Sequence, residues 1–176
     1  MMKRLVGILL VVFVLQGCSE DLPLETVQHV DINRYMGKWY EIASFPAWFQ
    51  RNCTGSTATY SLKRDGTVNV LNRCFKNTLN GSEDIAKGSA YVVDTDTQAK
   101  LKVSFFWPFY GDYWIIDLAD DYSYAVVGHP NRKYLWILSR TPQLSKQIYD
   151  TLLLKMQQKG FDISKLNKTI QPREAQ

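Results

Sequence analysis

Histidine is almost missing from this sequence. The 176 residues hold two, His29 and His129, and they lie far apart. No metal-ligand spacing, Gly-rich phosphate loop or Ser-His-acid order accompanies them, which leaves enzyme readings weak. No dense basic run occurs either, so nucleic acid is a poor partner. No apolar run reaches the roughly twenty residues that a membrane-spanning helix needs. Disorder is excluded as well, because 45% of the residues are apolar and 22% charged. Cysteine is sparse, with Cys18, Cys53 and Cys74 making three. Aromatics, by contrast, reach 13%. That load points to a strand-rich fold, or to a surface that holds something flat or greasy. The length fits one domain with a sizeable core.

The first residues carry the sharpest local signal. Lys3 and Arg4 precede a mostly apolar stretch, Leu5 to Leu15. That length fits the h-region of a secretory signal. Leu15-Gln16-Gly17-Cys18 follows and resembles a bacterial lipobox. The resemblance implies cleavage after Gly17, a signal peptide over 1–17, and acylation of Cys18. Three acyl chains would anchor firmly, since one alone binds only marginally. Ser19 rather than Asp after the lipidated cysteine points to the outer membrane. Without Lys3 and Arg4 the chain keeps 19 basic against 17 acidic residues. In an oxidising compartment, Cys53 and Cys74 default to a disulfide. A free thiol, including a nucleophile, stays open on residue types alone.

Residues 18–30 are largely polar and read as a lipidated tether. From Lys38 the chain falls into short β-branched and aromatic runs broken by turn signals. They cover 38–45, 54–63, 67–75, 86–93, 99–106, 113–118, 122–128 and 134–140. Short polar breaks between them imply antiparallel neighbours. The expected fold is therefore all-β, an eight-stranded antiparallel up-and-down barrel. Asp65-Gly66 marks a hairpin. Simple pairing around it sets Cys53 opposite residue 78, so a bulge or a curled strand start must bring Cys53 to Cys74. One helix should follow, with Thr141 as N-cap and Pro142 in its first turn. Leu144, Ile148, Tyr149, Leu152 and Met156 form its apolar stripe, and Gly160 ends it. Both faces of the last strand are largely apolar, so the helix should pack on the outside of the barrel.

Three short signatures then resemble those of the lipocalins. Gly37-Lys38-Trp39-Tyr40 opens the first strand, Asp121-Tyr122 precedes the seventh, and Arg140 closes the eighth. The segment Lys102-Val103-Ser104-Phe105-Phe106-Trp107-Pro108-Phe109-Tyr110-Gly111 is similar to bacterial outer-membrane lipoprotein lipocalins. Animal and plant lipocalins look like more distant relatives. The resemblance implies a lipocalin barrel plus helix over 31–171, with a tail at 172–176. In a meander, Gly37, Trp39, Tyr122 and Arg140 fall at one end, where Arg140 could stack on the Trp39 indole. They read as a stapled floor.

The opposite end carries Trp48, Phe49, Phe109 and Tyr110, which read as a cavity mouth. Alternation places Leu101, Val103, Phe105 and Trp107 inward on the fifth strand. Trp114, Ile116, Trp136 and Leu138 are further candidates for the lining. Arg51, Arg132 and Lys133 could meet a charged head group at the mouth. An eight-stranded barrel has room for one small ligand. The expected function is binding of a fatty acid or lysophospholipid, for lipid storage or transport in membrane maintenance. No chemistry, cofactor or metal is implied. Localisation is the outer membrane, facing the periplasm, and a homodimer is a further possible partner. The alternatives are a structural envelope lipoprotein with a filled barrel and a thiol-dependent lipid isomerase.

Overall fold

In the computed structural model, which describes residues 23–172, the apolar and aromatic runs form strands. They are β1 (Gly37–Ser44), β2 (Cys53–Leu62), β3 (Val68–Lys76), β4 (Glu83–Val92), β5 (Lys100–Phe106), β6 (Phe109–Leu118), β7 (Tyr124–Gly128) and β8 (Leu135–Ser139). Each pairs antiparallel with the next, and β8 returns to β1. Among the described residues, closure leaves no long unpaired edge. The strand β6 starts four residues earlier than its expected position at Tyr113. Phe106 pairs with Phe109, so Trp107-Pro108 is a tight turn rather than part of a longer loop. A short helix α1 (Ile32–Tyr35) precedes β1; Asp31 Oδ1 caps it, accepting from the Asn33 and Arg34 N–H groups.

Two apolar layers share the strands. Trp39, Val70, Leu101, Ile115, Val127 and Leu138 belong to the interior cluster. Ala43, Ile116, Val126, Leu135 and Ile137 face the other way, onto Tyr149, Leu152 and Met156 of the helix α2 (Lys146–Gln158). The helix begins later than the Thr141-Pro142 signal predicts. Ser145 is the cap, its Oγ accepting from the Ile148 N–H, while the Thr141 hydroxyl donates to the Gln143 carbonyl. Residues 141–144 carry the chain from the end of β8 onto the outer face before the first turn can close. The glycine stop is where expected: Gly160 has φ of +83°, and Phe161 N–H bonds back to the Met156 carbonyl. Phe161 then packs against the helix.

Two parts of the chain depart from the expected plan. Residues 24–30 do not behave as a free tether. Leu24 and Val30 are buried, and Val27 and Val30 N–H groups donate to the carbonyls of Ile115 and Thr97. Near the other terminus, β1 pairs with β2 only from Gly37 to Tyr40. Above that point a two-residue strand β9 (Asn167–Lys168) takes the vacated edge of β1. Ile170 accepts from Gly55 N–H, and the Gln171 side-chain amide donates to the carbonyls of both Glu41 and Ser56. The C-terminal segment thus fills a seam that two diverging strands would leave.

Candidate functional site

The floor is built from backbone carbonyls and two stacked cations. Arg140 lies over the Trp39 ring at 3.8 Å. Its Nη1 and Nη2 donate to the carbonyls of Lys38 and Arg34, at 3.0 and 2.7 Å. Trp39 Nε1 donates to the Tyr35 carbonyl. Arg34 covers the Tyr122 ring at 4.0 Å, and the Tyr122 hydroxyl accepts from Asp31 N–H. Gly37 sits at φ of +95°, and a Cβ there would meet Arg140 Nη1 at 3.3 Å. All four expected floor residues, Gly37, Trp39, Tyr122 and Arg140, therefore meet at one end.

Above the floor lies an apolar cavity of about 60 Å³, bounded by α1 and the strands β2 to β6. Val103 and Phe105 line it, as the alternation of β5 predicts. Trp136 and Leu138 belong to the interior cluster but do not line this cavity. Three expected lining residues are elsewhere. Trp107 caps the β5–β6 turn and is 83% exposed. Trp114 and Ile116 point outward into the layer under α2, with Lys100 Nζ 4.8 Å above the Trp114 ring. The inward positions of β6 are Tyr113 and Ile115 instead. The strand is covered on both faces, so both of its alternating sets are apolar and alternation cannot choose between them. Tyr35, Tyr60 and Asn72 also line the cavity, and sequence reasoning missed them. Register from the β2–β3 hairpin would have found two of them: Tyr60 opposes Val70, and Asn72 lies two residues further along the same face.

The mouth carries two groups of rings. Trp48, Phe49, Tyr134 and Trp136 form a row with successive centroids 5.6, 6.3 and 5.8 Å apart, leading from the first loop into the interior. Trp136 Nε1 ends the row on Gln50 Oε1. Phe106, Trp107, Phe109 and Tyr110 form the second group on the β5–β6 hairpin, all exposed. Gln50 also donates to the buried carboxylate of Glu41, which accepts from the Ser44 and Thr169 hydroxyls as well. Glu41 and Gln50 face a second, polar cleft of about 270 Å³, with Arg51 and Lys168 beside them. Arg132 is not available to a head group in the way expected, since its Nε donates to the Lys159 carbonyl at the end of α2.

Cys53 and Cys74 form a disulfide with α-carbons 5.4 Å apart. The hairpin register sets Leu62 opposite Val68, and a bulge between Thr54 and Thr57 shifts it so that Cys53 opposes Lys76. Cys74 is then a diagonal neighbour two residues away, within reach of a bridge. Of the four residues that separate Cys74 from the expected partner position 78, the turn register removes one, the bulge a second, and the diagonal spans the remaining two. Cys18 lies outside the described residues.

Comparison with known proteins agrees with this geometry. The lipocalin-like domain family matches residues 30–171. Temperature-induced lipocalin-1 of Arabidopsis thaliana is 45% identical, over 87% of this chain and 86% of its own. Outer membrane lipoprotein Blc of Escherichia coli K12 is 44% identical, over 91% of this chain and 92% of its own. The plant relative is thus as similar as the bacterial one, contrary to the order expected from the sequence. Mouse apolipoprotein D is 35% identical over 82% of this chain and 78% of its own. Insecticyanin of the tobacco hornworm shares the fold, with a TM-score of 0.70 at 22% identity over 86% of each chain. A floor stapled by Trp39 and Arg140, a closed eight-stranded barrel with its helix outside, and these matches place the chain in the lipocalin family.

Proposed function

We propose that this protein is an outer-membrane lipoprotein that holds the acyl chain of a fatty acid or lysophospholipid inside its barrel, for lipid storage or transport. The observation that carries the reading is the apolar cavity above a sealed floor, with Val103 and Phe105 in its wall. Excluding water from an acyl chain there is worth about 0.8 kcal/mol per CH₂. The ring row from Trp48 to Trp136 gives a chain a greasy path from rim to interior. The Blc relatives are named outer membrane lipoproteins, which supports an anchor on Cys18 and a barrel facing the periplasm. Replacing Cys18 with Ala should abolish labelling by a palmitate analogue and release the protein from outer-membrane fractions.

Lipocalins are in general binding proteins, and both sulfurs that a thiol-dependent isomerase would need are committed to the disulfide. The small cavity favours one competing reading, a structural lipoprotein with a filled barrel. Titration separates the two. A long-chain fatty acid or lysophospholipid should shift tryptophan emission and saturate at one chain per barrel. Phe105→Glu should weaken binding strongly, because a buried carboxylate without a partner is costly. Lys87→Glu, on an exposed position of β4, should bind like wild type. No response to either lipid would leave the filled barrel standing. The exposed rings of the mouth would also suit a homodimer, which sedimentation of the delipidated and loaded protein would detect.

A further inference from the structure

The deep end of the cavity is not a plain hydrocarbon slot. Three phenols meet there. The Tyr113 hydroxyl lies 2.8 Å from that of Tyr35 and 3.0 Å from that of Tyr60. Two oxygen–oxygen contacts consume two of the three O–H protons, whichever way each bond points. One proton is left over, and no other hydrogen bond to these hydroxyls exists among the described residues. Asn72 Oδ1, in the same wall, is buried and lacks a hydrogen-bond partner. The Tyr60 partner on β3 is Val70, so Asn72 is two residues further along the strand, about 6–7 Å. A spare donor and a spare acceptor thus stand in one small cavity, each a group that costs free energy if left unmatched. None of the lining side chains is charged. Burial pushes the Tyr60 hydroxyl up to about 12 and raises those of Tyr35 and Tyr113, so all three stay protonated donors at neutral pH.

We propose that this end of the cavity is a subsite for a neutral oxygen function, above all a hydroxyl, carried on the chain end that enters the barrel. A hydroxyl suits both orphan groups: it accepts the spare phenol proton and brings a proton of its own for Asn72 Oδ1. An ionised group does not suit them, because no countercharge lines the wall. The ligand class becomes lipids with an oxygenated far end, such as ω-hydroxy acyl chains. This rests on the lipid-binding reading above and narrows it.

A matched pair of probes tests the subsite: hexadecanoic acid and 16-hydroxyhexadecanoic acid, titrated by tryptophan emission on the mature protein. Wild type should bind the hydroxylated acid roughly threefold to tenfold more tightly, the effect of one net hydrogen bond. Replacing Tyr35, Tyr60 and Tyr113 together by Phe removes every phenol donor and should erase that preference. Asn72→Leu removes the acceptor and should also shrink it, and serves alone if the triple Phe variant does not fold. Equal affinities in wild type, or a preference that survives both substitutions, overturn the subsite while leaving acyl-chain binding intact. Failure of both acids to bind overturns the lipid reading and the subsite with it.

Discussion

The two ends of the barrel use the same residue types for opposite purposes. At the floor, Trp39 is fully buried beneath Arg140, and each polar atom of that guanidinium points at a backbone carbonyl. At the mouth, Trp48 and Trp107 are 73% and 83% exposed. The indole at the floor excludes water and satisfies its N–H internally; those at the mouth leave a large apolar area facing solvent. Burial of that area would be worth on the order of 25 cal/mol per Å² to anything that covered it. The floor therefore buries its aromatic rings against its own polar groups, and the mouth leaves its rings exposed. The cavity between them inherits both characters, with an apolar wall and a polar, hydrogen-bonded phenol cluster at its base.

Substitutions should make this asymmetry measurable. The largest effect is expected at the floor, where Trp39→Ala removes the ring that Arg140 and Tyr35 pack against. It should cost about 3–5 kcal/mol, read as a lower denaturant midpoint at unchanged slope. A midpoint near wild type would show that the floor is not a staple. Next comes the disulfide, at the mouth end of β2 and β3. Replacing Cys53 and Cys74 together by Ser should cost about 3 kcal/mol, since the bridge closes a loop of 21 residues' separation. Alkylation of the unfolded, unreduced wild type should find neither thiol free.

A third effect belongs to the phenol cluster. The folded state holds these protons more tightly than the unfolded chain, so their contribution is complete below pH 10. It is lost as pH rises from about 10 to the Tyr60 value of about 12. Roughly 2–3 kcal/mol should disappear across that window for Tyr60 alone. Thermal melts should fall steeply there, and less steeply in Tyr60→Phe. The smallest effect is expected at the rim. Trp107→Ser should change stability by no more than about 0.5 kcal/mol, because its ring packs on little. A large loss of stability would mean that the hairpin tip is structural, and the contrast between the two ends would collapse.

Much of this was readable from local chemistry. Short β-branched and aromatic runs with brief polar breaks specify neighbouring antiparallel strands, and eight of them in succession close a barrel. Trp39, Tyr122 and Arg140 fall at one end for a topological reason, the alternating direction of strands in a meander. Val103 and Phe105 follow from alternation, since Lys102 and Ser104 mark the other face. The stop at Gly160 follows from a residue that tolerates positive φ.

What only the tertiary structure decided has a common cause: the deciding partner is distant in the chain. Trp114 and Ile116 face α2 rather than the cavity because β6 is apolar on both sides, so local pattern holds no preference. Asn167 and Lys168 form a strand with no β signal of their own, because the divergence of β1 from β2 leaves backbone groups that must be paired. Thr141 and Pro142 spell a helix start, yet the chain must first cross from β8 to the outer face. Tyr35, Tyr60 and Tyr113 come from a helix and two non-adjacent strands, and only closure of the barrel brings their hydroxyls together. The sequence by itself determined the architecture, which periodicity and turn chemistry encode locally. The lining of the cavity was left to the fold, because it depends on which of two equally apolar faces a distant element covers.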